Sequence, residues 1–226
     1  AIAIMRSLTV DGGYFNARGH DALLLSVLNQ AISLAQTAGE SQAETLHYFL
    51  SRRGNAFYSA GVPQHALEDY AAALELAHVL DLSARRVILH CVISKIYSDQ
   101  GKFDAAESHL SAASELAQQS GEDLLMARVL EQRGYHYAEG KRDFEAARQI
   151  YVEQVALAGK LQHSERQFFA LCNLAAAETE LADHQNALIH VQQASHIAIE
   201  QDNRVWHGYA LYVAGTIYDN KGDRDN

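Results

Sequence analysis

Twelve histidines and two cysteines are the residues best equipped for chemistry, and their spacing decides what they can do. A metal centre needs His, Cys, Asp or Glu side chains that converge on one point. His184, His190 and His196 recur every six residues, which turns successive helical side chains away from one another by about 120°. The remaining histidines are scattered, so they read as surface or interhelical residues rather than ligands. No HExxH, phosphate-binding glycine loop, GxSxG or closely spaced cysteine pair occurs. The sequence thus offers no catalytic, metal or cofactor site, and an enzyme is the least favoured class.

Composition narrows the elements that could position any other kind of site. A single proline in 226 residues, with abundant Ala, Leu, Glu and Gln, favours helix and leaves little room for a sheet. A net charge of −10 has the wrong sign for nucleic-acid phosphates or an anionic membrane. No apolar run approaches the roughly 20 residues of a membrane span. Cys91 and Cys172 are too few for a disulfide scaffold. The chain starts without Met, and we expect a piece of a longer, cytoplasmic protein.

One short pattern organises everything else. "GVPQHALEDY" begins at Gly61, "GKFDAAESHL" at Gly101, and "GKRDFEAARQIY", with one residue inserted, at Gly140. "ADHQNALIHV" begins at Ala182, and related starts occur at Gly19 and Gly222. A glycine after a helical run supplies the left-handed residue that ends a helix. An acid shortly before alanines opens the next helix. Each stretch is therefore the elbow of a helical hairpin, and the hairpins recur about every 40 residues. Seven residues before most elbows lies a small residue (Gly12, Gly54, Ser94, Ala175, Gly215), with Gly134 six before its glycine. An aromatic usually follows three residues later, as at Phe15, Phe57, Tyr97, Tyr137 and Tyr218. Alanines follow the elbows at Ala66, Ala106, Ala147 and Ala187, with Leu24 in that place in the first unit. Helices approach closely only where side chains are small, so these positions are expected to be the tight contacts.

This arrangement resembles the tetratricopeptide repeat (TPR) family, over nearly the whole chain. One unit runs Gly54, Phe57, Gly61, Ala66, Tyr70, Ala73; the next runs Ser94, Tyr97, Gly101, Ala106, Leu110, Ala113. The fourth unit departs late, with Gln154 where an alanine is expected, and the family's closing proline is missing throughout. The resemblance implies an all-α, right-handed superhelix of about eleven antiparallel helices. Its units would be 1–41, 42–82, 83–122, 123–162 and 163–203, with a half unit at 204–226. Repeat packing is expected from Gly54, Ala66, Tyr97, Gly101, Ala106, Gly134, Ala147, Ala187 and Gly215. Units of about 40 residues are similar to those of bacterial signalling proteins, including regulators of the Rap type and arrays joined to GGDEF, histidine kinase or DNA-binding domains. Kinesin light chain has a similar unit length.

In such an array the first helix of each unit lines a concave groove. The resemblance places Tyr48, Ser51, Arg52, Asn55 and Tyr58 there, followed by Ile88, Cys91, Lys95 and Ser98. Arg128, Glu131, Tyr135 and Ala138 come next, then Phe169, Cys172, Ala176 and Thr179, and finally Tyr209, Tyr212, Thr216 and Asp219. Aromatic rings among a few charges suit an extended peptide or a partner helix. A chaperone-tail carboxylate clamp is not expected, because Ser51, Ile88 and Val92 replace three of its four polar positions and only Asn55 remains. Two readings stand: a sensory or regulatory peptide-binding module, and a static scaffold joining two partners. The last helix is expected to pack partly on the preceding unit through Val205, Tyr209, Tyr212, Val213 and Ile217. Trp206 and Ala214 are expected on its other side, which would receive a further repeat or a second molecule in a homodimer.

Overall fold

A computed structural model describes residues 21–222, which form ten α-helices and no strand. They are α1 (Asp21–Thr37), α2 (Ala43–Ser59), α3 (Pro63–Val79), α4 (Ser83–Asp99) and α5 (Phe103–Ser120). There follow α6 (Asp123–Tyr135), α7 (Phe144–Lys160), α8 (Ser164–Glu180), α9 (His184–Glu200) and α10 (Arg204–Lys221). The expected helix before the first elbow, with Gly12, Phe15 and Gly19, lies outside the described residues, as do Arg224, Asp225 and Asn226. The second helix of each pair packs on the first helix of its own pair and on that of the next, so the helices stack as an all-α solenoid.

The elbows form where a residue adopts the left-handed conformation. Gly61, Gly101 and Gly222 have φ of +73°, +70° and +85°, and Ala182 accepts the same strain at +59°. At Gly61 the next amide closes the turn, Val62 N–H donating to Phe57 C=O at 2.9 Å; Lys102 does the same to Tyr97 at 2.9 Å. Pro63 sits in the first turn of α3, where its missing N–H costs no bond. Asp143, Asp183 and Asn203 cap α7, α9 and α10 with their side chains.

The fourth unit differs from the sequence reading. Its left-handed residue is Arg142, φ +57°, and not Gly140. The inserted residue lies before the elbow, wound into a π-turn over His136–Gly140. Asp143 N–H therefore reaches back six residues to Tyr137 C=O, at 2.8 Å, where the other elbows reach back five. Taking up the insertion there leaves the turn and α7 in register.

Packing between the helices of a pair depends on complementary sizes. The Cβ of an alanine at position 54 would stand 2.7 Å from the Tyr70 ring, and at position 134 it would fall inside contact distance of Tyr151. Equivalent positions pair Ser94 with Leu110 and Ala175 with Val191, all buried. Ala66, Ala106, Ala147 and Ala187 are fully buried beside them, followed by Ala73, Ala113 and Ala194. Gln154 interrupts this row and is itself only 3% exposed. Tyr97 packs over His109, with ring centroids 5.6 Å apart. Two expected packing residues take other roles. Gly101 is an exposed turn residue, chosen for its backbone and not for contact. Gly215 is exposed with nothing within 4 Å of its Cβ position, because no described helix covers that side of α10.

Two predictions follow from this packing. Gly134→Ala should cost about 1–3 kcal/mol in urea unfolding, whereas Gly208→Ala, which meets nothing, should gain up to about 1 kcal/mol. Gly134→Ser with Tyr151→Leu, copying the Ser94–Leu110 pair, should recover most of the loss.

Four buried or half-buried histidines at the helix junctions have pKa values lowered by burial, which predicts an acid-sensitive fold. His90 and His109 meet Nδ1 to Nδ1 at 2.9 Å, so one ring donates and the other must be unprotonated. Burial, the neighbouring His109 and Arg86 push His90 down to about 4, and burial lowers His47, His109 and His136 as well. The unfolded chain takes up these protons below pH about 6.5 and the folded chain resists, so stability is complete above that pH and falls toward pH 4. The midpoint of thermal unfolding should drop between pH 7.5 and pH 5, and His90→Asn with His109→Asn should flatten that dependence.

Candidate functional site

The first helices of successive units do not stand equally far apart. Helix α4 packs directly on α6, and α8 on α10, but α2 and α4 are separated, as are α6 and α8. A cavity opens in each of these two gaps. The first, of about 280 Å³, lies between α2 and α4 with Tyr70 of α3 among its lining residues. The second, of about 300 Å³, lies between α6 and α8 and reaches Gln154 of α7.

Four of the expected groove residues, Tyr48, Ser51, Arg52 and Asn55, line the first cavity together. Asn55 accepts the Tyr70 hydroxyl on Oδ1 at 2.6 Å, which fixes its amide so that the NH2 remains to donate. Ile88, Leu89 and Val92 give one apolar wall. His47 and Arg85 complete the site and were missed by the sequence reading. His47 is 5% exposed with Nε2 unpartnered, and burial, then Arg85, lowers its pKa. The clamp positions Ser51, Asn55, Ile88 and Val92 do converge here, and the positive charge comes from Arg52 and Arg85 beside them.

Arg128, Glu131 and Phe169 line the second cavity with Arg166, Asn173 and His163. Arg166 donates to Glu131 across the gap at 3.0 Å. Tyr58, Lys95 and Tyr135 meet elsewhere, at the elbow end of the first helices. There Tyr58 and Tyr135 donate to opposite oxygens of Asp99, at 2.6 and 2.5 Å, and the Lys95 ammonium lies 3.8 Å from the Tyr135 ring centroid. Burial works against the Asp99 charge, but the Tyr135 and Tyr58 hydroxyls and Lys95 outweigh it and hold its pKa below the ordinary value. Three helices are tied together by one carboxylate.

Several expected groove positions are not on an open face. Cys91, Ser98, Ala138, Cys172 and Thr179 are buried, because neighbouring first helices close over them where they touch. Burial pushes both thiols up to about 12, which makes them inert. On α10 the packing side is Trp206, Ala210, Val213 and Ile217, with Trp206 stacked on Phe168 at 5.1 Å. Val205 and Tyr212, expected against the preceding unit, are 80% and 68% exposed. Tyr209 and Tyr212 stack on each other at 6.3 Å, and Tyr209 also approaches Phe169.

A Ser–His–Glu contact occurs at the π-turn. Ser98 Oγ lies 2.7 Å from His136 Nδ1, and Glu107 Oε2 lies 3.4 Å from His136 Nε2. His136 is fully buried and Ser98 nearly so, and neither lines a cavity. Ser98 also donates to Ser94 C=O at 2.9 Å, so the group braces α4 against the π-turn. Among the described residues no three His, Cys, Asp or Glu side chains converge as metal ligands, and no helix is long and apolar enough to cross a membrane.

No protein-family model and no curated protein matches the chain. Solved structures do. The apo form of RapI superposes with a TM-score of 0.79 at 16% identity, over 97% of this chain and 80% of that one. A Rap protein complexed with Competence and Sporulation Factor gives 0.74 at 17%, over 96% of this chain and 63% of that one. A Podosopora anserina putative kinesin light chain of TPR-like repeats gives 0.71 at 15%, over 89% and 97%. These likenesses establish the fold, an α-solenoid of TPR-like repeats.

The Asp99 tie is open to measurement. Hydrogen bonds to a charged group contribute about 1.5–3 kcal/mol. Asp99→Ala should lower stability in urea unfolding by about that amount, and Asp99→Asn, which still accepts on one oxygen, by less.

Proposed function

We propose that the first-helix face holds an extended peptide segment of a partner protein, with Tyr48, Arg52 and Asn55 at one cavity and Arg128, Glu131 and Phe169 at the other. The observation that carries this reading is the pair of gaps on one face. Each is open to solvent, and each combines an arginine, a side-chain amide and an aromatic ring. An extended chain spans such spaced pockets with alternate side chains, and its backbone pairs with amides between them. The likeness to a Rap protein seen with Competence and Sporulation Factor supports the same reading.

The module is proposed to serve as the N-terminal sensory or regulatory part of a larger bacterial signalling protein, such as a GGDEF diguanylate cyclase or a transcriptional regulator. A bound segment passes a signal only if it prefers one of two arrangements of the array.

Selection of a random peptide library displayed on phage tests the binding. Enriched peptides should bind the chain in solution, and Arg52→Ala with Asn55→Ala should weaken them at least about tenfold, or 1.4 kcal/mol. A matching change at exposed Glu115, on the second-helix layer, should have no effect. Failure to enrich any peptide sensitive to the double substitution rejects the proposal. Small-angle scattering of the complex then separates a sensor, whose curvature changes, from a scaffold, whose profile does not.

A further inference from the structure

Only three Phe, Tyr or Trp side chains are exposed among the described residues: Phe169, Tyr209 and Tyr212, at 40%, 42% and 68%. They are not scattered. Phe169 of α8 lies 6.3 Å from Tyr209 of α10, and Tyr209 lies 6.3 Å from Tyr212, ring centroid to centroid. Trp206 joins the same strip, 6.0 Å from Phe169 and at 67° to it. Apolar groups exposed singly need no explanation, whereas a contiguous patch marks an interaction surface. The donors beside the rings are free as well. Neither the Trp206 indole N–H nor the Tyr212 hydroxyl has a hydrogen-bond partner among the described residues, and the indole N–H is not enclosed. The Asn173 amide, one turn beyond Phe169, is likewise unbonded and open.

We infer that this strip docks a proline-rich segment in the polyproline II conformation, with pyrrolidine rings on the aromatic faces and carbonyls on the Trp206, Tyr212 and Asn173 donors. The inference rests on the peptide-binding reading of the face and names the class of peptide taken at its α8–α10 end. The strip pairs ring faces with donors, and an indole N–H can only donate. None of its five side chains is charged, which suits a neutral ligand. That ligand must bring apolar surface and carbonyl acceptors with few donors of its own. A polyproline II helix does so: it makes no internal hydrogen bonds, so every carbonyl stays free, and proline has no N–H. An α-helix instead closes its carbonyls on its own N–H groups, and an ordinary extended strand brings one N–H per residue in need of an acceptor. Length fits as well. Two steps of 6.3 Å carry the three exposed rings no further than about four residues of such a helix, at ~3.1 Å each. The helix is already formed in the free peptide, so docking costs little order.

Trp206 is the only tryptophan of the chain, so its fluorescence reports on the strip directly. Three capped, uncharged or soluble probes are titrated into the whole chain: hexaproline, a glycine–serine hexapeptide, and an amphipathic leucine–lysine helical peptide. Hexaproline should give a saturable change in Trp206 emission, and the glycine–serine peptide should bind at least about tenfold more weakly. No saturable change with hexaproline at millimolar concentration overturns the inference. Equal binding of the glycine–serine peptide overturns it too, as does tighter binding of the helical peptide, which would make the strip a helix-docking face.

Substitutions at exposed positions supply an independent readout without disturbing the core. Tyr212→Ala should weaken hexaproline at least about tenfold, and Tyr212→Phe, which keeps the ring and removes the donor, about fivefold. Leu211→Ala, exposed on another side of α10, should leave binding unchanged. Unchanged binding in Tyr212→Ala, or an equal loss in Leu211→Ala, overturns the inference. Library peptides that depend on Arg52 and Asn55, with no binding of hexaproline, would remove the strip and leave the groove reading standing. Hexaproline binding with no such library peptide would keep the strip and reject the groove reading.

Discussion

The spacing of the first helices depends on the side chain that the second helix presents to the small residue of its partner. Where that side chain is a tyrosine, at Tyr70 and Tyr151, the small residue must be glycine, because a single added carbon would enter the ring. Where it is Leu110 or Val191, serine or alanine suffices. The same side chain is wedged toward the next unit. After the tyrosines the following first helix stands off and a cavity opens; after Leu110 and Val191 it closes onto its neighbour. Interiors pack to near-crystal density, so a change of a few atoms at such a wedge must be taken up by moving a helix. The alternation of large and small wedges therefore places openings in every second gap.

These gaps differ from packing defects in what lines them. A void in an apolar core simply loses contacts. Here the walls carry Arg52, Arg85 and Asn55 in one gap, and Arg128, Arg166 and Asn173 in the other, on a chain whose net charge is −10. Most of the excess acid lies elsewhere. The polar groups of the openings are held by the framework as well, as the Tyr70 hydroxyl holds Asn55. One tyrosine thus separates two helices and orients the amide between them.

Much of the fold was legible because the elbow signal is local. A left-handed residue, a helix start two residues later and a buried alanine follow one another within a few positions, so each can be read from its neighbours. The insertion at Gly140 shows the boundary of that method. An extra residue near an elbow can enter either helix or the turn; here it enters a π-turn before Arg142, which leaves Gly134 packed on Tyr151. Cavity-lining residues were legible where helices stand apart, as at Tyr48, Arg52, Asn55, Arg128 and Phe169. At Cys91 and Cys172 the same register gave a buried thiol, since the neighbouring helix lies against it. Exposure on this face depends on the wedge some 16 residues further along the chain, which a reading confined to one helix cannot include. Gln154 was visible as a departure from the alanine pattern, but its place beside an opening was not.

The Tyr58–Asp99–Tyr135 bridge gives this uneven stack a mechanical consequence. It joins the last turns of α2, α4 and α6, whereas the first cavity lies along the earlier turns of α2 and α4, from Glu44 to Asn55 and from Leu82 to Val92. Two parallel helices tied at one end and separated at the other yield most easily by changing the angle between them. The charge-assisted bonds at Asp99 resist sliding and separation at the elbow end, and the wedge of Tyr70 resists closure beyond its ring. The direction these contacts constrain least is the angle between the two helices toward their starts, where Arg85 and Glu44 stand. Helix α4 packs on α6 along its other side, so a change in its tilt is passed to the next first helix rather than absorbed in the gap.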